Sequence, residues 1–177
     1  GDITLFAQNL SIREGSQLIA GIAPIPGSDP DSRAGDIRIT ASGVITLSGF
    51  ATFLERSAII NAQGVNEDSE AQGRSGDIFI EAQELRVSEG GQIFASTFED
   101  GDAGEIYIEA DAVSFTGGVV IDDQFAPSQA FNRAELGALG SAGLIQITTD
   151  LLSLSQGGRV STSTRSEGNA GVVRVIA

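Results

Sequence analysis

Residues 76–97 read GDIFIEAQELRVSEGGQIFAST, and apolar side chains alternate with polar ones in three short stretches of this segment. The stretches cover residues 77–81, 84–88 and 92–96, and two adjacent glycines separate the second stretch from the third. A period of two residues is typical of half-buried β-strands, and paired glycines permit the backbone angles of a sharp corner. The segment therefore predicts three short strands and a tight corner rather than a helix.

The first five residues of this segment recur along the whole chain, with Gly first and apolar residues third and fifth. The six copies begin at Gly1, Gly35, Gly76, Gly104, Gly143 and Gly171. Their spacings are 34, 41, 28, 39 and 28 residues, which indicates a unit of 28 residues that is enlarged at three places. A unit this small cannot bury its own apolar face, so it is typical of repeat proteins in which successive units stack.

We predict an all-β fold, a right-handed parallel β-helix in which each unit forms one coil of three strands. Successive coils would stack about 4.8 Å apart, which is the spacing of paired strands. A β-sandwich is the competing all-β fold, but it predicts hairpin turns of the Asn-Gly type and the sequence contains none. Residues 1–177 would form a single segment of about five to six coils, and we expect this segment to be part of a longer chain.

The alignment of the copies predicts which side chains face the interior. Isoleucines at the third motif position would form one buried ladder, and those at the fifth position would form a second. The first ladder contains Ile37, Ile78, Ile106 and Ile145. The second ladder contains Ile39, Ile80, Ile108 and Ile147. Stacking the copies would bury these side chains together, which is the main source of stability in such a fold.

Three enlargements of the unit predict a variable surface. They cover residues 22–34, 63–75 and 123–142. Each follows a predicted third strand, so all three would emerge from the same corner of the fold. Apolar residues between Ala126 and Leu139 lie near helical spacing, which predicts a short helix in the third enlargement.

The composition excludes several classes of function. The 177 residues include no His and no Cys, and all ten basic residues are Arg, so structural zinc sites, disulfides and thiol or imidazole nucleophiles are excluded. The 24 acidic residues give a formal net charge of −14, which would repel nucleic acid. No apolar run approaches the ~20 residues that a membrane-spanning helix needs, so we predict no membrane insertion.

The repeated motifs resemble those of a known family. Gly-Asp-Ile-x-Ile-x-Ala is followed by Leu-x-Val-Ser-x-Gly-Gly, then by Ile-x-Ala-Ser-Thr, and a Gly-rich loop ends in Asn-Ala-Gly. This order is similar to the repeats of filamentous haemagglutinin-like exoproteins of the two-partner secretion type, in particular the large repeat-rich surface proteins of filamentous photosynthetic bacteria. The match spans the chain and is strongest in residues 76–122 and 143–177. The resemblance implies a right-handed β-helix in an extracellular adhesin or surface fibre.

One acidic pair invites comparison with an enzyme. Polysaccharide hydrolases and lyases use parallel β-helices, and Asp122 and Asp123 are adjacent carboxylates at a corner. Such hydrolases generally support their acids with His or Lys, and the lyases use Arg or Lys with calcium. Because the chain has no His and no Lys, the conventional bases near neutral pH are missing, so we predict no catalytic residues and interpret the pair as an acidic turn.

Six acidic residues at the enlarged corner are candidate calcium ligands, since calcium prefers hard oxygen donors. They are Glu67, Asp68, Glu70, Glu99, Asp100 and Asp102. Stacking of the coils would bring the two groups together, although neither group supplies the pattern of an EF-hand loop. The alternative interpretation is a set of solubilising charges that keep the loops apart.

Two rows of side chains are predicted to face outward from the strands. The first row is acidic and contains Asp2, Asp36, Asp77 and Glu105. The second row is aromatic and contains Phe6, Phe79, Phe94 and Tyr107. Stacked outward aromatics would bind sugar rings or another protein, and a covering insertion would explain their position equally well.

The sequence predicts a non-catalytic extracellular segment of an elongated surface filament or adhesin stalk. Its partners would be further coils of the same chain or other copies end to end, together with cell-surface glycans or proteins. The alternatives are a carbohydrate- or calcium-binding β-helix module and a polysaccharide lyase or hydrolase. No cofactor is predicted apart from the calcium of the module alternative.

Overall fold

The structure of the protein is a computed structural model. It describes residues 1–22, 32–52, 55–63, 73–98, 101–121, 123–135, 138–165 and 167–177. Within these ranges every regular element is a β-strand. The same ranges contain no helix long and apolar enough to cross a membrane.

The strands follow the repeated motif, and we number the repeats one to six from the glycine that begins each copy. The strands of the described residues are β1 (Ile3–Ala7), β2 (Leu10–Arg13), β3 (Gln17–Ile22), β4 (Ile37–Ala41), β5 (Val44–Ser48), β6 (Ala58–Gln63), β7 (Ile78–Ser88), β8 (Gln92–Thr97), β9 (Ile106–Thr116), β10 (Gly118–Ile121), β11 (Gln124–Pro127), β12 (Gln129–Ala134), β13 (Leu144–Thr148), β14 (Leu151–Ser155), β15 (Arg159–Thr164) and β16 (Val172–Ile176). β7 and β9 are long because each continues from the first to the second strand position of its repeat.

The repeats contribute their strands to two parallel sheets. First and second strands join a nine-stranded sheet with the main order β1-β4-β7-β9-β13-β16, beside which β2, β5 and β14 also pair. Third strands form a five-stranded sheet with the order β3-β6-β8-β12-β15. All pairs in these two sheets are parallel. The prediction of an all-β fold with parallel strands is therefore confirmed.

The two isoleucine ladders lie in the core, as the sequence predicts. In the first ladder Ile106 pairs with Ile78 on one side and with Ile145 on the other. Ile37 pairs with Ile78 from the far side. All four side chains have no exposed surface, and the second ladder is also buried. Each isoleucine therefore packs against its equivalents in the adjoining repeats, and this contact defines the register of the whole stack.

The glycine that begins each motif is required by close backbone contact. A Cβ atom built on Gly104 would lie 1.8 Å from the carbonyl oxygen of Gly76. A Cβ atom on Gly76 would lie 2.3 Å from the carbonyl oxygen of Gly35 in the repeat before. These distances are far inside van der Waals contact, so only a residue without a side chain fits between successive repeats.

The acidic residue after this glycine forms hydrogen bonds between repeats. The amide of Asp36 donates to the carboxylate of Asp2 over 2.9 Å, and the amide of Asp77 donates to that of Asp36 over 3.0 Å. The amide of Glu105 continues the row by donating to Asp77 over 2.8 Å. Arg33 contacts the carboxylates of Asp36 at 3.1 Å and Asp77 at 2.8 Å, which offsets their charge repulsion. The acidic row is thus a part of the stack as well as a polar surface.

The prediction of a short helix between Ala126 and Leu139 is wrong. Residues 129–134 form the strand β12, which lies in register between β8 and β15. Ala130 is fully buried and pairs with Ile93 in the repeat before. The apolar residues of this stretch have helical spacing in the sequence, but pairing with two flanking strands satisfies the backbone and buries the alanines, and this tertiary gain decides the structure.

The position predicted for this enlargement is wrong for the same reason. Because β12 is the third strand of repeat four, the enlarged corner is residues 117–128, which lie before that strand rather than after it, where repeat three has residues 89–91. They form an antiparallel hairpin of β10 and β11. Repeat two is enlarged in the equivalent place, where residues 49–57 separate β5 from β6. The sequence predicts that all enlargements lie at one corner of the fold, but they lie at two different corners.

The tight corners of repeats one, three and five are covered by the enlarged corners of repeats two and four. Gly15, Gly90 and Gly157 all have φ between 83° and 89°. A Cβ atom on Gly15 would lie 2.6 Å from the carbonyl oxygen of Glu55 in repeat two. A Cβ atom on Gly90 would lie 2.8 Å from the side chain of Val119 in the hairpin of repeat four. Glycine is needed at these corners because the backbone angle φ is positive and because the covering segment leaves no room for a side chain.

Buried asparagines follow the same alternation. Asn61 of repeat two donates to the carbonyl of Gly35 over 2.8 Å and accepts from the amide of Gly76 over 3.0 Å. Asn132 of repeat four makes the equivalent pair of bonds to Gly104 and Gly143. The position between them in the sheet is Ala95, in repeat three. The structural period of the protein is therefore two repeats, although the sequence motif has a period of one.

Arg56 connects the enlarged corners across repeat three. Its Nε donates to the carbonyl of Gly90 over 2.6 Å, and its Nη2 donates to the carbonyl of Pro127. The side chain is buried, and this burial lowers the pKa of Arg56 to about 10, so that the guanidinium stays charged at neutral pH. Two backbone carbonyls thus hold a buried cation that links repeats two, three and four.

Candidate functional site

The structure describes one of the six candidate calcium ligands. Asp102 is exposed, and its carboxylate accepts a hydrogen bond of 2.9 Å from the amide of Ser141 in the next repeat. Glu67, Asp68, Glu70, Glu99 and Asp100 lie outside the described residues. In the part of the chain that is described, no group of three or more carboxylates is arranged to hold a metal ion. The calcium site stays a prediction.

Of the acidic pair Asp122 and Asp123, the structure describes Asp123 alone, because Asp122 also lies outside the described residues. Asp123 is exposed at the turn between β10 and β11 and has a φ of 60°. Asp tolerates this left-handed conformation better than most residues, which suits the tip of a turn.

A groove of about 300 Å³ lies on the outer face of the nine-stranded sheet. Two rows of outward side chains line it, and each row crosses the four strands β4, β7, β9 and β13. One row contains Arg38, Phe79, Tyr107 and Gln146, which are paired in register. The polar row contains Thr40, Glu81, Glu109 and Thr148, which are also paired in register. The groove is therefore continuous across four repeats, with equivalent positions of each repeat on the same side.

The two aromatic side chains of the groove stack on each other. The ring centroids of Phe79 and Tyr107 are 5.1 Å apart, and the ring planes differ by 4°. The guanidinium of Arg38 lies 3.9 Å from the centre of the Phe79 ring, and it also forms an ion pair of 2.9 Å with Asp36. The Phe79 ring is thus covered by Arg38 and by Tyr107, its partners in register on either side.

The other predicted outward aromatics lie elsewhere. Phe94 stacks on Phe131 with centroids 4.8 Å apart, on the five-stranded sheet. Arg133 lies over the Phe131 ring at 5.1 Å. Phe6 is 80 % exposed and lies at the first strand of the sheet. The alternating pattern locates Phe94 on the outer side of its strand, but its partner Phe131 becomes visible only when residues 129–134 are recognised as a strand.

Tyr107 gives the groove a spectroscopic signal, because it is the single tyrosine of a chain without tryptophan. Its hydroxyl donates to the carboxylate of Glu105, and this bond, with burial and the charge of Glu105, raises the pKa of Tyr107 to about 12. A raised pKa means that the protonated phenol is favoured in the folded protein. The resulting contribution to stability is present below pH 10 and is lost as the pH rises from about 10 to about 12.

We therefore expect phenolate absorbance, recorded by rapid mixing before the chain unfolds, to have a midpoint near 12 in the native protein. The midpoint should fall towards 10 in urea, where the bond is absent. The variant Glu105→Ala should lower the native midpoint in the same direction, whereas Glu84→Ala on the second strand of repeat three should not. A native midpoint equal to that in urea would contradict the hydrogen bond.

The polar row has two carboxylates side by side. Glu81 pairs directly with Glu109, and both side chains are exposed. Asp36 and Asp77 on the same sheet, by contrast, both contact Arg33. Among the described residues, no ion pair or hydrogen bond engages the carboxylate of Glu81 or Glu109. Like charges directly opposite each other in a sheet are destabilising, so this pair costs free energy that packing does not return.

Comparison with known proteins gives no relative from which a function can be transferred. A scan against protein-family models, a search of curated proteins and a search of solved structures each found no match. The function is therefore argued from the fold, the groove and the charge distribution.

Proposed function

We propose that the protein is a right-handed parallel β-helix in which each repeat forms one coil, and that it serves as a non-catalytic structural and adhesive segment of an extracellular filament or adhesin stalk. The observation that carries the proposal is the continuous register of parallel pairs from β1 to β16. A parallel connection within one sheet is right-handed in nearly all known cases, which supports the handedness.

The bonds between repeats support a rigid rod. Each repeat pairs its strands with the next one, and carboxylates such as that of Asp36 add bonds from side chain to backbone. Contacts in such a stack are made with neighbouring repeats, so length can increase without a change in cross-section. A rod of this kind separates what is attached to its two ends, which is the task of a stalk.

Pairing between repeats supports growth along the stack. Each repeat pairs its strands in register with the next one, as Ile145 does with Val173. We propose that further coils of the same chain or other copies end to end are the partners in the assembled filament.

The composition supports a surface location and the absence of catalysis. A formal charge of −14 keeps an extended surface soluble and repels acidic polymers. The resemblance of the motifs to filamentous haemagglutinin-like repeats points to the same setting. Cell-surface glycans or proteins would be the partners of its adhesive role.

The proposal predicts the shape of the molecule and its chemical inertness. Small-angle X-ray scattering should give an elongated particle whose cross-section is that of a single coil, and incubation with pectate or neutral glucans should release no reducing ends. Calcium should raise the melting temperature only modestly. A globular particle would contradict the stalk. Turnover of a polysaccharide that is lost in the variant Asp123→Asn would establish an enzyme. A large loss of structure on addition of a chelator would establish a calcium site.

A further inference from the structure

We propose that the groove on the outer face of the nine-stranded sheet binds an uncharged linear glycan, which lies across the strands β4, β7, β9 and β13. The inference rests on the adhesive role proposed above, because it names the class of ligand that this role would recognise. Glu81 and Glu109 accept hydrogen bonds from sugar hydroxyl groups, and Thr40 and Thr148 extend the polar row on either side.

The two unpartnered carboxylates are the first reason for this assignment. Glu81 and Glu109 are neighbours in register, are exposed and line the groove. Arg38, the cation that lines the same groove, is already held by Asp36 and by the ring of Phe79. A ligand with several hydroxyl groups would satisfy both carboxylates through charge-assisted hydrogen bonds without adding charge.

The spacing of the rows is the second reason. Equivalent side chains repeat at the strand spacing, about 4.8 Å, along the direction that crosses the strands. A sugar unit of an extended glycan advances by about the same distance, so each unit would face one strand. An extended peptide presents side chains to one face about every 6.6 to 6.8 Å and would lose register with the rows.

The side walls of the groove are the third reason. The stack of Phe79 and Tyr107 lines one side of the groove, and Arg38 and the bond to Glu105 fix the rings in place. A fixed wall limits the entropy that binding would cost. Gln146 continues this row with an amide that both donates and accepts hydrogen bonds, which suits hydroxyl groups.

Charge decides against acidic polymers. Acidic polysaccharides and nucleic acids would meet two carboxylates in the groove and a strongly acidic protein around it. A cationic peptide or a polymer of amino sugars would be attracted by charge alone. Such a ligand would need no match to the spacing of the rows, so its binding is distinguishable by experiment.

The test uses the fluorescence of Tyr107, which lines the groove, together with isothermal titration calorimetry. The probes are hexasaccharides of β-linked glucose, mannose and xylose, with hexagalacturonate and hexalysine for comparison. We expect saturable binding of at least one neutral hexasaccharide, with a change in tyrosine fluorescence and little dependence on salt. The double variant Glu81→Ala/Glu109→Ala should weaken this binding roughly tenfold to a hundredfold, since each carboxylate loses bonds to hydroxyl groups.

Matched variants keep the test falsifiable. Glu84→Ala removes a carboxylate from the same strand, β7, at a position that does not line the groove, and should leave the affinity unchanged. Thr148→Val keeps the shape of the polar row and should weaken binding less than the double variant does. Circular dichroism would establish that each variant is folded.

Three results would overturn the proposal: no binding of any neutral hexasaccharide, binding of hexalysine alone, or binding that the double variant does not weaken. None of them would alter the particle shape measured by scattering or the absence of turnover. Failure of the glycan site is therefore distinguishable from failure of the stalk.

Discussion

Replacing Ile106 by Asp should lower the free energy of unfolding by about 3–5 kcal/mol, enough to unfold much of the population. Ile106 lies in the middle of the first buried ladder, between Ile78 and Ile145, and has no exposed surface. A carboxylate in this place would be surrounded by isoleucines and would have no cation or amide to pair with. Urea denaturation followed by far-ultraviolet circular dichroism measures the loss directly.

Two companion variants separate the effect of charge from the effect of size. Ile106→Val removes one methylene group at the same place and should cost only about 0.5–1.5 kcal/mol. Gln83→Asp introduces the same carboxylate on the exposed side of β7 and should change stability by no more than about 0.5 kcal/mol. Equal losses for Ile106→Asp and Gln83→Asp would show that the ladder is not the core of the protein.

Replacing Gly104 by Ala should cost about 1–3 kcal/mol or more, although alanine is among the smallest changes that a chain can carry. The new Cβ would lie 1.8 Å from the carbonyl oxygen of Gly76, and that atom belongs to the backbone and cannot swing away. The two repeats would have to separate locally, which would weaken the hydrogen bond from the Glu105 amide to Asp77. Thermal denaturation of the variant should give a lower melting temperature.

Gly1 provides the matched control, since it begins the same motif but has no neighbouring atom within 4 Å of a built Cβ. Gly1→Ala should leave the melting temperature unchanged. If Gly104→Ala were equally harmless, the close approach of the repeats would be refuted as the reason why each motif begins with glycine.

The sequence predicts the core of the fold because the core depends on a regular pattern. Apolar residues at the third and fifth motif positions place Ile78 and Ile80 inside without any knowledge of the other strands. The glycine of the motif is equally visible in the sequence, but the reason for it is not. Its requirement comes from the distance between two backbones in different repeats, which only the assembled stack defines.

The third strand of repeat four escapes prediction because its inward residues are small. Ala130, Asn132 and Ala134 alternate with larger residues, so an apolar period of two does not stand out from the helical spacing around Phe131. The strand forms because strands on both sides provide hydrogen bonds in register. Information of this kind belongs to the neighbours and is absent from the local sequence.

The groove is partly predictable. Alternation along the strands places Phe79 and Tyr107 outside, and the motif alignment brings them together. The pairing of Glu81 with Glu109 follows from the same alignment, yet charges on an outer face have no pattern that marks them as a site. Their significance depends on a comparison with Asp36 and Asp77, which contact Arg33, and on the position of Arg38, which is held by other groups.

The alternation of tight and enlarged corners limits how a chain of this type can change its length. Loss of repeat three alone would bring the segment 49–57 against the hairpin 117–128, two bulky corners that each need a tight one beside them. Asn61 and Asn132 would also become direct neighbours in the five-stranded sheet and lose the alanine, Ala95, that separates them. Loss or duplication of repeats three and four together preserves every such contact. Growth and shortening of the chain by recombination should therefore proceed in pairs of repeats. The unit that is gained or lost then contains two repeats, although the sequence motif occurs once in each repeat.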